Sequence, residues 1–252
     1  MSTLAETIAP PGRGTTRLVL LDGFELRNNG SAVRLPLSAQ RLLAFLALHD
    51  RQRQRVYVAG SLWLESSQDH ANANLRTALW RLRRPDCQLV TTTATHIGLA
   101  DNVEVDLREV SARARRVLDR DIQPEDVSEL CLAGDLLPDW YDDWLLIERE
   151  RFRQLRLHAL ESLCVYLADR GHFAAAAQAG LSAVAGEPLR ESAHRALIST
   201  HLLEGNASEA MRQYRIYSQI LRTQLGLEPS EAIRQLVASL SAEAQTAGRH
   251  TP

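Results

Sequence analysis

Four arginines crowd residues 68–84, QDHANANLRTALWRLRR, against one acid, Asp69, so the stretch carries +3. Ala71, Leu75, Ala78, Leu79 and Leu82 recur at three- and four-residue intervals, the apolar stripe of an amphipathic helix. With Leu75 at the centre of that stripe, steps of about 100° place His70, Ala73, Asn74, Thr77, Trp80, Arg81 and Arg84 opposite it. Arg76 and Arg83 fall on the flank. Guanidinium groups pair with guanine O6 and N7 or with phosphate, Asn pairs with adenine, and Thr takes a base edge or a thymine methyl. A helix with such a face can lie in the major groove of DNA, although a merely solvated face looks the same locally. On the DNA reading, Arg81 and Arg84 take guanine or phosphate, Asn74 adenine and Thr77 a base. Arg76 and Arg83 reach phosphates, which position without specifying. Trp80 lies off the stripe and contacts DNA or a partner, or packs on a neighbouring hairpin.

The elements around this helix decide between the two readings. RLVLLDGFELR and AVRL give two short strands within 17–35, with turns at Asp22-Gly23 and Asn28-Asn29-Gly30. Ser38 is expected to cap a helix over 38–49, rich in Leu and Phe. DRQRQR is a polar break, and a short helix near 57–64 follows it. After the arginine-rich helix, stopped at Pro85, come strands at 88–92, about 95–99 and 103–106. The order is strands, three helices and a hairpin, that of a winged helix whose third helix reads DNA. Thr92, Thr93, Thr95 and His96 then sit on the wing, able to touch a backbone or an adjacent minor groove, although any exposed hairpin shows such residues.

Composition sets limits on function. The chain has 252 residues and a net charge of −2, so it is not a basic nucleic-acid binder as a whole. Residues 17–106 hold 11 Arg against 9 acids, and residues 107–252 hold 17 Arg against 21 acids. All 29 basic residues are arginine, which points to a G/C-rich genome more than to function. Cys87, Cys131 and Cys164 lie far apart without C-x-x-C spacing, which argues against a disulfide framework and a zinc site. No 18-residue apolar run and no signal peptide are seen, so a cytoplasmic protein is expected. Residues 1–16 and 242–252 read as flexible tails.

From 107 the pattern is helical throughout: 107–119, 124–133, 140–170, 172–186, 189–204, 206–226 and 230–241. Gly171 and Gly205 lie 34 residues apart, each before a similar run, GHFAAAA and GNASEAM. A 34-residue period is that of tetratricopeptide repeats, whose small residues let paired helices approach closely. The second unit departs at Arg222, where the first has Pro188. His194 and His201 lie on one helix face but also occupy repeat packing positions, so no metal is expected. Asp135, Asp139, Asp142 and Asp143 surround Trp140, Tyr141 and Trp144. They lack a defined spacing for paired-carboxylate chemistry, and Trp140 and Trp144 instead read as staples onto the winged domain or a neighbour. No nucleophile-and-base arrangement and no phosphate-binding glycine loop stands out, so neither an enzyme nor a cofactor is expected.

LSAQRLLAFLALHDR, AGSLW and ANLRTALWRLRR together resemble the DNA-binding half of the Streptomyces antibiotic regulatory protein family. VDLREV resembles its junction. DDWLLIERERFRQLRLHALESL and EPLRESAHRALISTHLLEGNASEAMRQYRIYSQILRTQLGLEPS resemble its bacterial transcriptional activator domain. The resemblance covers about 17–241. It implies a mainly α chain: an OmpR-type winged helix-turn-helix, α+β, over 17–106, then an all-α tetratricopeptide-like domain over 107–241. It further implies a transcriptional activator of a biosynthetic gene cluster, commonly for antibiotics. Such a protein binds direct repeats of double-stranded DNA near the −35 element, as a homodimer or side-by-side protomers, and recruits RNA polymerase with its sigma factor. Such a protein is cytoplasmic and joins the nucleoid when bound. The chain departs from the family's Gly-Tyr-x-Leu wing tip, reading His96-Ile97-Gly98-Leu99. The rival reading is a helical adaptor whose winged helix binds protein.

Overall fold

The computed structural model describes residues 15–238. The tails expected at 1–16 and 242–252 lie outside them, except for Thr15 and Thr16: the Thr15 carbonyl accepts the Asn29 N–H, and Thr16 opens the first strand and is buried. The chain divides into two units, each packed chiefly on itself: residues 15–108 with 135–149, and residues 109–134 with 150–238.

In the first unit, turn chemistry sets the first sheet. β1 (Thr16–Val19), β2 (Glu25–Asn28) and β3 (Ser31–Ala32) form a meander with Leu18 opposite Leu26 and Arg27 opposite Ala32. Asn29 and Gly30 both hold positive φ, 51° and 79°, the two-residue turn that matches strand twist. Three strands occupy the stretch expected to hold two, because this turn folds Ser31 and Ala32 back onto β2. β7 (Val103–Val105) runs parallel to β1, giving the order β3-β2-β1-β7. Past β7, the buried Asp106 carboxylate accepts the backbone N–H groups of Leu20, Leu21 and Leu107 at 2.7–3.1 Å.

Three helices follow the meander: α1 (Leu37–Ala47), α2 (Arg55–Leu62) and α3 (Gln68–Arg81). Pro36, not Ser38, is the N-cap of α1, and the Ser38 hydroxyl accepts from Arg81 instead. Leu42, Leu43, Phe45 and Leu46 of α1 share the core with Leu75, Ala78 and Leu82. A second sheet, β4-β6-β5, is built from β4 (Arg53–Gln54), β5 (Val90–Thr92) and β6 (His96–Leu99). β4 lies in the expected polar break. Two residues show no alternation, and only pairing with β6 makes them a strand.

Residues 135–142, part of which was expected to be helical, pack on this same unit as irregular chain with a turn from Leu137 to Trp140. Leu136 bridges Leu21, and the Asp22 N–H donates to the Asp135 carbonyl at 2.8 Å. Leu136 and Leu137 are buried. Arg149 donates to the carbonyls of Leu136 and Trp140, both at 2.9 Å, so this stretch satisfies its backbone without a helical ladder. Trp140 stacks on Phe24 with ring centroids 5.8 Å apart, and Trp144 sets its edge against Phe45 at 5.3 Å. Arg41 pairs with Asp142, which also accepts from the Trp144 indole. The two tryptophans therefore staple this stretch to the winged helix.

The second unit is helical: most of α4 (Asp106–Leu118), α5 (Pro124–Leu132), α6 (Asp143–Ala168) from residue 150 onward, α7 (Phe173–Gly186), α8 (Glu191–Leu203), α9 (Ala207–Leu225) and helical residues 231–238. The 34-residue period is structural. Gly171 and Gly205 both hold φ near +80°, and the N–H groups that follow each glycine, His172 and Asn206, bond to Leu167 and His201, again 34 apart. Leu163 and Leu197, and Ala176 and Ala210, are equivalent pairs with no exposed surface. Gly180 lets α7 close on its neighbours, since a Cβ there would sit 3.1 Å from Cys164 Sγ and 3.2 Å from Leu197 Cβ. The mainly α architecture, with an N-terminal winged helix before a repeat-like helical domain, is the fold class the sequence implies.

Candidate nucleic-acid interface

The recognition helix owes its presentation to its two ends. Ser67 caps α3, its hydroxyl accepting from the His70 N–H and lying 3.1 Å from His70 Nδ1. Asp69 in the first turn suits the positive end of the helix dipole. At the other end α3 stops at Arg81, three residues short of the expected limit. The Leu82 N–H is shared between the carbonyls of Ala78 and Leu79, and the Arg83 N–H bonds to Trp80 at 3.2 Å, a tightened last turn. Pro85 disfavours helical geometry in the residue before it, Arg84. Arg83 and Arg84 therefore do not sit at their wheel positions.

The apolar stripe is buried as expected, except that Leu79 is half-exposed. His70, Asn74, Arg76, Thr77, Trp80, Arg81, Arg83 and Arg84 are all exposed, Trp80 to 70%. They divide into groups. Arg76 faces the wing. Arg81 turns away, its guanidinium donating to the Ser38 hydroxyl at 3.0 Å, and Arg84 donates to the Arg34 carbonyl at 3.0 Å. Thr77 spends its hydroxyl on the Ala73 carbonyl at 3.1 Å.

The wing tip is a small hydrogen-bonded knot. The Thr93 hydroxyl accepts from the His96 N–H at 2.9 Å, and the Thr93 N–H donates to the His96 carbonyl at 2.8 Å. Thr95 Oγ1 lies 2.9 Å from His96 Nδ1. Thr92, Thr93 and Thr95 are exposed and His96 half-exposed. The Arg55 N–H donates to the Thr95 carbonyl at 2.8 Å, tying the wing to the first residue of α2. Gly98 is forced by close approach: a Cβ there would lie 2.8 Å from Gln52 Cγ.

These ties bring Arg76 from α3 and Thr95 and His96 from the wing around one surface groove of about 490 Å³. Leu75 and Ala94 also line it, and Asn72, Arg55, Gln54 and Val56 complete it. Sequence reasoning missed these four. Arg55 and Gln54 lay in the supposed loop, and the signal for them was the alternating arginines of RQRQR. Asn72 sits beside Arg76 on the flank of the wheel. Asn74, Thr77, Trp80, Arg81, Arg83 and Arg84 are not part of this groove. A groove of guanidinium, amide, hydroxyl and imidazole groups offers donors for phosphate oxygens and base edges together.

Residues 107–241 match the model of the bacterial transcriptional activator domain. Among curated protein sequences none matches the chain significantly. Among solved structures, Mycobacterium tuberculosis EmbR, in complex with a low-affinity phosphopeptide, superposes with a TM-score of 0.65 at 19% identity. The match covers 91% of this chain and 66% of the EmbR chain.

Proposed function

The chain belongs to the bacterial transcriptional activator domain family, and from that premise we propose that it is a sequence-specific, DNA-binding transcriptional activator. The target is a biosynthetic gene cluster, approached through direct repeats near the −35 element. Residues 17–106 read the DNA. Residues 107–241 hold neighbouring protomers together and engage RNA polymerase and its sigma factor. One observation carries the DNA reading: Arg76, Thr95 and His96 converge with Arg55 on a single groove where a recognition helix meets a wing. His70, Asn74, Trp80, Arg83 and Arg84 extend the contact along exposed surface. The protein works in the cytoplasm and on the nucleoid.

Selection of bound fragments from genomic DNA tests this, with Arg76→Ala and Arg81→Ala in parallel. Spaced direct repeats enriched by the wild type and lost with Arg76→Ala support the reading. No enrichment above random DNA turns the choice to a helical adaptor whose winged helix binds protein.

A further inference from the structure

The second unit contains a groove of about 820 Å³ that the DNA-binding reading does not use. Its floor and sides come from the end of α4, from α6 and α8, and from the helical residues Ala232 and Leu236. The apolar part is Val117, Leu118, Ile122, Leu155, Val165 and Leu236. Three exposed arginines line it as well: Arg120, Arg170 and Arg195.

The charge in the groove is not balanced. Glu161 is one of its two carboxylates, and it is already neutralised. Arg190 Nε donates to it at 2.6 Å and the Ser192 hydroxyl at 2.7 Å. Within the lining that leaves Asp169 against the three arginines, with Glu191 next to Arg195 just outside it. Arg170 is held ready, its guanidinium 3.5 Å from the centre of the Tyr166 ring, so a bound anion would not have to order a loose side chain. This positive lining stands in a half of the chain where 21 acids outnumber 17 arginines, so its sign is local.

The lining runs along α6 and its terminal turn from Leu155 to Arg170, roughly 22 Å at 1.5 Å per residue. An extended chain of about seven residues spans that length at ~3.3 Å each. A compact metabolite would leave most of it empty. We propose that this groove binds an acidic peptide segment with interspersed apolar side chains, its carboxylates on Arg120, Arg170 and Arg195 and its apolar groups on the Leu118, Val165 and Leu236 surface. The occupant is a segment of another protein, and the site is separate from the DNA-binding face.

The test is fluorescence anisotropy on the full chain with a labelled peptide of about ten residues alternating Glu and Leu, long enough to exceed the groove. A Lys and Leu peptide of equal length and free N-acetylglutamate are the comparisons. Expected are saturable binding of the acidic peptide alone, and about a tenfold loss with Arg195→Glu and with Arg170→Glu, the size of one reversed, partly desolvated charge contact. Both side chains are exposed, and an unchanged melting temperature identifies folded variants. Arg120→Glu, on a different element, replaces either one that fails this check. Equal binding of the Lys and Leu peptide, insensitivity to the charge reversals, or no binding overturns the proposal. So does full displacement by N-acetylglutamate, which would make this a small-molecule site. Genomic DNA selection with the same variants reports separately on the DNA reading.

Discussion

At the scale of single residues, the helical wheel sets Arg81 opposite the stripe and Arg76 on its flank, and their surroundings differ in another way. Arg81 is engaged with Ser38, whereas Arg76 lines the groove beside the wing. Arg76→Ala is expected to cost about 1–3 kcal/mol of binding to the selected repeat if it reads a base. Equal weakening on random DNA would make it a phosphate contact. Arg81→Ala is expected to have the smaller effect, and the reverse ranking would show that Arg81 leaves Ser38 when DNA binds. His194 offers a second test. It is fully buried against Tyr217, its Nε2–H donating to the Pro188 carbonyl and its Nδ1 accepting from Gln213 at 2.8 Å. Burial lowers its pKa, opposed by the Pro188 hydrogen bond and by Glu191. The fold therefore keeps the neutral ring. The stability this provides is complete above the ordinary histidine value of about 6.5 and drains as pH falls through the lowered one. His194→Gln is expected to flatten that acid limb. Melting temperatures between pH 7 and about pH 5 check it, and an unchanged slope would assign the limb to other groups.

At the scale of elements, Gly180 sits where α7 meets Cys164 and Leu197. Gly180→Val is expected to destabilise the second unit by about 1–3 kcal/mol through overpacking. Denaturant unfolding measures this, and wild-type stability would mean that the helices separate without cost. The repeat was legible because small residues at a fixed period leave a strong pattern: Gly171 and Gly205 mark both turns. The recognition helix was legible for the same reason, since Leu75, Ala78 and Leu82 face one core. What was not legible depends on partners distant in sequence. Ser38 has the chemistry of a cap but serves Arg81, and Pro36 opens the helix. Arg53 and Gln54 become a strand only because Ile97 and His96 lie opposite. The groove was not legible either: a wheel places side chains by angle alone, while the groove depends on the wing residues Thr95 and His96 lying beside Arg76 of α3.

For the molecule as a whole, a net charge of −2 means that DNA affinity must come from a local surface. Titration of the selected repeat over a range of salt is expected to give a slope of log K against log salt of roughly −3 to −5 per protomer, at about 0.9 per neutralised phosphate. A slope near zero would remove phosphate contact from the account. The two halves are built differently, a β-edged winged helix and a stack of helical pairs, and the second carries the family signature.

The stretch 135–149 belongs structurally to the winged half although 26 residues of the other unit, 109–134, precede it in the chain. During synthesis, the winged half thus cannot complete its core when residue 108 leaves the ribosome. Phe24 and Phe45 wait for Trp140 and Trp144, and Arg41 waits for Asp142. A gene fragment cut at the apparent junction would encode a winged half with its own aromatic surface uncovered. The winged half is therefore not a cassette that a single crossover near codon 106 could move intact; recombination that preserves its core must carry codons 15–149 together.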